Sequence, residues 1–134
     1  MRTLVMDVHL ANPGLLAGLK GRGMLCRSLQ EFGLDGTPDP SVVRELESMI
    51  DHPWVLVTLD LEILEHHENF DWSRYAIAWV MLPRKIKGVA VEFAKQNIVH
   101  HHAKKMEAQS AGDHFTYNER SQFKHPPSLV NRPW

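Results

Sequence analysis

Cysteine is almost missing from this chain: Cys26 is the only one among 134 residues. No intramolecular disulfide can form, so the fold rests on its core, as suits a reducing compartment. Long apolar runs are missing too. No stretch approaches the roughly 18 apolar residues needed to cross a bilayer, and the opening MRTLVMDVHLANPG carries too short an apolar run for a signal peptide. The expectation is a cytoplasmic protein with no membrane partner. A dominant charge is also lacking: the formal net charge is -1 with nine histidines taken as neutral. Bulk charge therefore neither selects nor excludes a nucleic-acid partner, and only local clustering can. No internal repeat is visible. What the chain does have is 43% hydrophobic residues in a length that suits one compact domain.

Those apolar residues fall into short runs that end on acids or turn residues. TLVM, Thr3 to Met6, is closed by Asp7 and has no helical period, which predicts a buried strand. After Asn12-Pro13-Gly14, Leu15, Leu16 and Leu19 have helical spacing and run into glycines, as at a helix end. Met24 to Leu29 is a weaker strand, and EFGLDGTPDP punctuates the chain as a loop. From Pro40, Val42, Val43, Leu46, Met49 and Ile50 form one stripe of an amphipathic helix. Val55 to Thr58 then reads as a second buried strand leading to Asp60, with a short helix in LEILEHHENF after it. Tyr75 to Leu82, closed by Pro83, is the next strand. Lys85 to about Met106 reads as a helix with Ile86, Val89, Phe93 and Ile98 as its apolar stripe. From Gln109 the chain turns polar and proline-rich, without a clear period.

Strands alternating with helices predict an α/β protein, a three-layer sandwich around a central, mostly parallel sheet. The expected organisation is one domain over 1–108 and a polar, aromatic-containing tail over 109–134. In such sheets the loops at the carboxyl ends of the strands form the functional crevice. Asp7 and Asp60 both belong to that edge. Two carboxylates leaving neighbouring strands repel each other and raise each other's pKa unless a cation lies between them, and their oxygens suit hard ions such as Mg²⁺ or Mn²⁺. Asp39 starts the helix that leads into PWVLVTLD; it reads equally as an N-cap before Pro40 or as a cap that is also a ligand.

The order LVMD, then DPSVVRELE, then WVLVTLD resembles the PIN-like ribonucleases, and most nearly the VapC-type toxins and their compact relatives. The likeness covers residues 2 to 65. It implies a PIN-like fold and an Mg²⁺- or Mn²⁺-dependent endoribonuclease, the toxin of a toxin–antitoxin pair. Its partners would be an RNA substrate and a cognate antitoxin, with a homodimer as a compatible assembly. Asp7, Asp39 and Asp60 would be the catalytic, metal-binding acids, Thr58 would orient the last of them, and Glu62 would be a supporting acid. The family carries a further acid between the first strand and the Asp39 position; Glu31 and Asp35 stand there without a motif around them.

Two other classes remain open. A phosphate-accepting receiver domain also puts acids at strand ends, although a receiver pairs two acids after its first strand and Asp7 is followed by Val8. The other is an RNA-binding module with a decayed site. Among the basic residues of the long helix and its approach, Arg84 and Lys87 follow a strand end and are the RNA-contact candidates; Lys85, Lys95, Lys104 and Lys105 fit a solvated face. His100, His101 and His102 diverge by about 100° per residue on a helix and cannot easily share an ion, so they read as solvent-facing or RNA-proximal. Trp54, Trp72 and Trp79 read as core, and Trp134 with the tail aromatics as a partner contact.

Overall fold

The computed structural model describes residues 2–7, 9–34, 39–60, 63, 70–83 and 85–124, and for residues 39, 123 and 124 the backbone alone. Within them the chain forms β1 (Thr3–Met6), α1 (Pro13–Gly21), β2 (Cys26–Ser28), α2 (Asp39–Met49), β3 (Trp54–Thr58), β4 (Ala76–Val80), α3 (Val89–Glu107), β5 (His114–Tyr117) and β6 (Gln122–Lys124). Single 3-10 turns occupy Leu29–Phe32 and Trp72–Arg74. The strands make one sheet in the order β2-β1-β3-β4-β5-β6, with β1 to β5 parallel and β6 antiparallel to β5.

The strands read as continuous apolar runs because both faces of the sheet are covered. Side chains alternate between two cores with period 2. Leu4, Met6, Val55, Val57, Ala76, Ala78 and Val80 pack with Leu15 and Leu19 of α1 and with Ile98, Val99, Ala103 and Met106 of α3. Val5, Leu56, Ile77 and Trp79 pack on the other face with Val42, Val43 and Leu46 of α2, beside Ile63 and Trp72. This is an α/β three-layer sandwich. The expected burial of Trp54, Trp72 and Trp79 is met.

The placement of α3 is unusual. The connection from β2 to β3 and that from β4 to β5 both step along the sheet in the same direction, yet α2 lies on one face and α3 on the other. Parallel crossovers in the same direction on opposite faces have opposite hands. The β1–α1–β2 step runs the other way on the α1 face, so it shares its hand with β2–α2–β3. With right-handed crossovers the strong rule, β4–α3–β5 is the left-handed exception. It lays α3 beside α1, over the centre of the sheet.

Three expectations are corrected here. Residues 109–124 are no separate tail: β5 and β6 complete the sheet, and Tyr117 is wholly buried with its hydroxyl donating to Gln109 Oε1 at 2.7 Å. The pattern hid this because HFTY is short and half polar, and is buried by pairing rather than by composition. The expected stripe of the long helix is met at Ile98, which is buried, and not at its start: α3 begins at Val89, not Lys85, and Val89 and Phe93 are 78% and 65% exposed. Its inner face is Ala94, Ile98, Val99, His102, Ala103 and Met106, where small and polar residues blur an apolar signal. His102, expected outside, is 1% exposed, and its Nε2–H donates to the Asn118 carbonyl at 2.8 Å. Burial lowers its pKa, with only partial opposition from that bond. His101 is exposed, as the 100° step between neighbours requires.

Gly112, in the turn between α3 and β5, has φ +88, and a Cβ there would lie 2.6 Å from the Ser73 carbonyl oxygen. Its own N–H donates to the Tyr75 carbonyl at 3.1 Å, so this turn cannot move away without loss. Gly112→Ala is expected to cost about 2–3 kcal/mol, read as a lowered urea midpoint with an unchanged m-value; an unchanged midpoint would contradict the contact.

Candidate functional site

The sheet reverses its order between β1 and β3, and the crevice at such a switch point, outside the carboxyl ends of the strands, is where doubly wound proteins bind ligands. Asp7 leaves β1 at that point and Asp60 leaves β3 two residues after its end. Their strands are hydrogen-bonded neighbours, Met6 paired with Val57, and the Asp7 N–H donates to the Val57 carbonyl at 2.9 Å.

One buried hydroxyl ties the two acids together. Thr58 Oγ1 donates to Asp7 Oδ2 at 3.0 Å and accepts the Asp60 N–H at 3.1 Å. The other Asp7 oxygen, Oδ1, accepts the His9 N–H at 2.8 Å, and the Asp7 carbonyl accepts from the Leu10 and Ala11 N–H groups. The carboxylate is thus held at both oxygens while each keeps a lone pair for a further partner. Trp79 Nε1 donates to the Asp60 carbonyl at 2.7 Å, fixing the backbone that carries the second acid. Both carboxylates are half-buried at the rim of the sheet.

A cation reaches the same loop from α3. Lys95 Nζ donates to the His9 carbonyl at 2.8 Å and pairs with Glu92 Oε1 at 3.0 Å, with its side chain 13% exposed. It can do so only because α3 crosses on the α1 face. Its place at the site has no local signal in the sequence, since it depends on the hand of a crossover. Lys87, the expected RNA contact, is exposed just before α3.

The remaining expected positions divide as follows. Asp39 is the first residue of α2, as expected for a helix start, and its side chain lies outside the described residues. Glu62 and Arg84 lie outside them altogether, as does Asp35. Glu31 is committed to structure: its Oε2 accepts the Ser28 N–H at 2.7 Å in a capping box that closes the 3-10 turn after β2. The Ser28-x-x-Glu31 spacing carries that signal in the sequence. Among the described residues no group of three His, Cys, Asp or Glu side chains is placed to hold a metal ion. Asp7 and Asp60 would offer two carboxylates, all oxygen, from neighbouring strands. That fits a small hard cation, which takes one or two protein carboxylates and completes its octahedron with water and substrate phosphate.

Models of known families, curated proteins and solved structures give no match to this chain. No helix among the described residues is long and apolar enough to cross a membrane.

Thr58→Val preserves shape and removes the link between the acids. It is expected to lower stability by about 1 kcal/mol and any metal-dependent activity of the site by about 10- to 100-fold. Thermal unfolding and a metal titration, run side by side, separate the two effects; equal metal affinity in both proteins would refute the orienting role.

Proposed function

We propose that the chain is a divalent-metal-dependent endoribonuclease of the PIN-like, VapC-type toxin class. The observation that carries this reading is the pair Asp7 and Asp60, set at the sheet's switch point and joined through the Thr58 hydroxyl. An Mg²⁺ or Mn²⁺ ion held there would supply Lewis-acid stabilisation of a phosphate and a bound water of lowered pKa. The chain's own part is positional and electrostatic. Asp7 and Asp60 supply the anionic oxygens, with Asp39 at the start of α2 and Glu62 as the further acids of the proposed set. Thr58 and the His9 N–H hold the Asp7 carboxylate in one orientation, so no reorganisation is needed when a ligand arrives. Lys95, with Arg84 and Lys87 as the further basic residues, offers positive charge to the RNA backbone. An antitoxin that covers this edge would silence the enzyme, which would act in the cytoplasm, and a homodimer is compatible with the reading.

The deciding experiment incubates the purified chain, freed of any bound protein, with single-stranded RNA and Mg²⁺ or Mn²⁺, and again with chelator. Cleavage that needs the metal supports the reading; intact RNA under both metals sinks it. The strand order favours one rival, because flavodoxin-like sheets share it: a receiver domain phosphorylated at Asp60. A small-molecule phosphodonor would then leave an aspartyl-phosphate on Asp60, detectable as added mass, and the nuclease reading expects none.

A further inference from the structure

An open pocket of about 370 Å³ lies beside the candidate site, between the loop that follows β1 and the 3-10 turn that follows β2. It shares its first wall with the site: the loop begins at Asp7, whose carbonyl accepts the Ala11 N–H, and Ala11 lines the pocket. Ala11, Pro13 and Leu16 form an apolar floor, and Asn12, Gln30 and Glu31 stand around it. The polar residues are half spent. Asn12 Oδ1 caps α1 by accepting the Gly14 and Leu15 N–H groups, which leaves the Nδ2 amide as a donor. Glu31 Oε2 holds the Ser28 N–H, which leaves Oε1 as an acceptor. Gln30 has no side-chain partner among the described residues, so both ends of its amide are available.

This is a flat apolar bed with a few placed donors and acceptors, the composition of a small-molecule site, and it lies at the edge of the sheet where ligands bind. Resting on the nuclease reading, we infer that the pocket takes one nucleobase of the RNA, next to the phosphate that a cation at Asp7 and Asp60 would hold. Unpaired bases of single-stranded RNA are read on their Watson–Crick edges. The remaining oxygen, Glu31 Oε1, suits guanine, whose adjacent N1–H and N2–H can both point at one acceptor, whereas uracil offers one N–H flanked by two carbonyls. Gln30 and Asn12 then meet the acceptor side of the same base. The pocket thereby makes the enzyme prefer a guanine at one fixed position relative to the cut.

Two readouts test this on the full chain and on two variants, Gln30→Ala, which changes an exposed residue, and Leu16→Phe, which fills the floor; circular dichroism establishes that both are folded. The first readout is the sequence at the cut ends of a random RNA pool. The second is saturation-transfer NMR with guanosine 5′-monophosphate against uridine 5′-monophosphate, without metal, which does not depend on cleavage. The expected results are a preference for guanine over uracil of about tenfold, flattened by Gln30→Ala, and a guanosine monophosphate signal that Leu16→Phe abolishes. Cut ends with no base preference, together with a nucleotide signal untouched by Leu16→Phe, would overturn the inference and leave the pocket to another occupant, such as a side chain of a partner protein. Binding that Leu16→Phe removes, in a chain that cuts no RNA, would uphold the base pocket and overturn the nuclease reading instead.

Discussion

If the chain is the nuclease proposed above, Asp7→Asn and Asp60→Asn are each expected to lower metal-dependent RNA cleavage by at least about 10²-fold, with little change in thermal unfolding. The size follows from what is lost: several kcal/mol of charge stabilisation at a phosphate, at about 1.4 kcal/mol per tenfold in rate. The amide keeps the shape of the acid and removes its charge. At Asp7 the asparagine oxygen can still accept the His9 N–H, and the Thr58 hydroxyl has a lone pair to offer the new NH₂. The fold is therefore expected to tolerate the change, and the proposed site is not. Asp51, an exposed acid at the opposite end of β3, is the control: Asp51→Asn should cleave like the parent. Initial rates on one single-stranded RNA, measured across a range of Mn²⁺ concentrations, check all three. Full activity in either site variant at saturating Mn²⁺ would remove that acid from the site.

Why those two acids are legible in the sequence, and their neighbours are not, is a matter of range. A buried parallel strand needs a continuous apolar run, and the residue that ends it must be solvated or used; TLVM-D and WVLVT-L-D show both in a few residues. The pairing of β1 with β3, and so the placing of Asp7 and Asp60 at one edge, follows from doubly wound topology once strands and helices alternate. Thr58 entered through the resemblance alone; in the fold its hydroxyl donates to the Asp7 carboxylate and accepts the Asp60 N–H.

Lys95 shows the opposite case. Its contact with His9 spans 86 positions and depends on α3 crossing on the less common side. No window of sequence around Lys95 contains that choice. The register of α3 is hidden for a related reason: its inner face uses Ala94, Ala103 and His102 beside Ile98, while the larger Val89 and Phe93 face outward. Small residues on the inner face let a helix lie close to the sheet, and periodicity weighted by hydrophobicity penalises them. β5 was missed because its burial is collective. Thr116 and Tyr117 are covered by pairing with β4 and β6, and Gln109 donates to the carbonyls of Ile77 and Asp113 while accepting the Tyr117 hydroxyl. Each of those contacts is made by a residue that looks like loop when read alone.

The core and the site meet at Trp79, and its two substitutions separate stability from function. The indole is wholly buried on the α2 face, edge-on to His114, and paired across the sheet with Thr58. Trp79→Ala removes a large ring from a close-packed layer and is expected to cost about 3–5 kcal/mol. Set against a total stability of about 5–15 kcal/mol for a domain, that moves the urea midpoint far down or unfolds the chain outright. Trp79→Phe keeps an aromatic ring there and loses the N–H that holds the Asp60 carbonyl, with an expected cost of about 1–3 kcal/mol. The two variants are expected to differ in kind. Trp79→Ala would lower the folded fraction, whereas Trp79→Phe would stay folded and, on the nuclease proposal, cleave more slowly because the Asp60 carbonyl loses the indole N–H. Circular dichroism in urea gives the first quantity without relying on the deleted fluorophore, and cleavage per folded molecule gives the second. Were Trp79→Phe to cleave at the parental rate, the indole hydrogen bond would belong to the core alone, and the Thr58 hydroxyl would carry the positioning of the two acids.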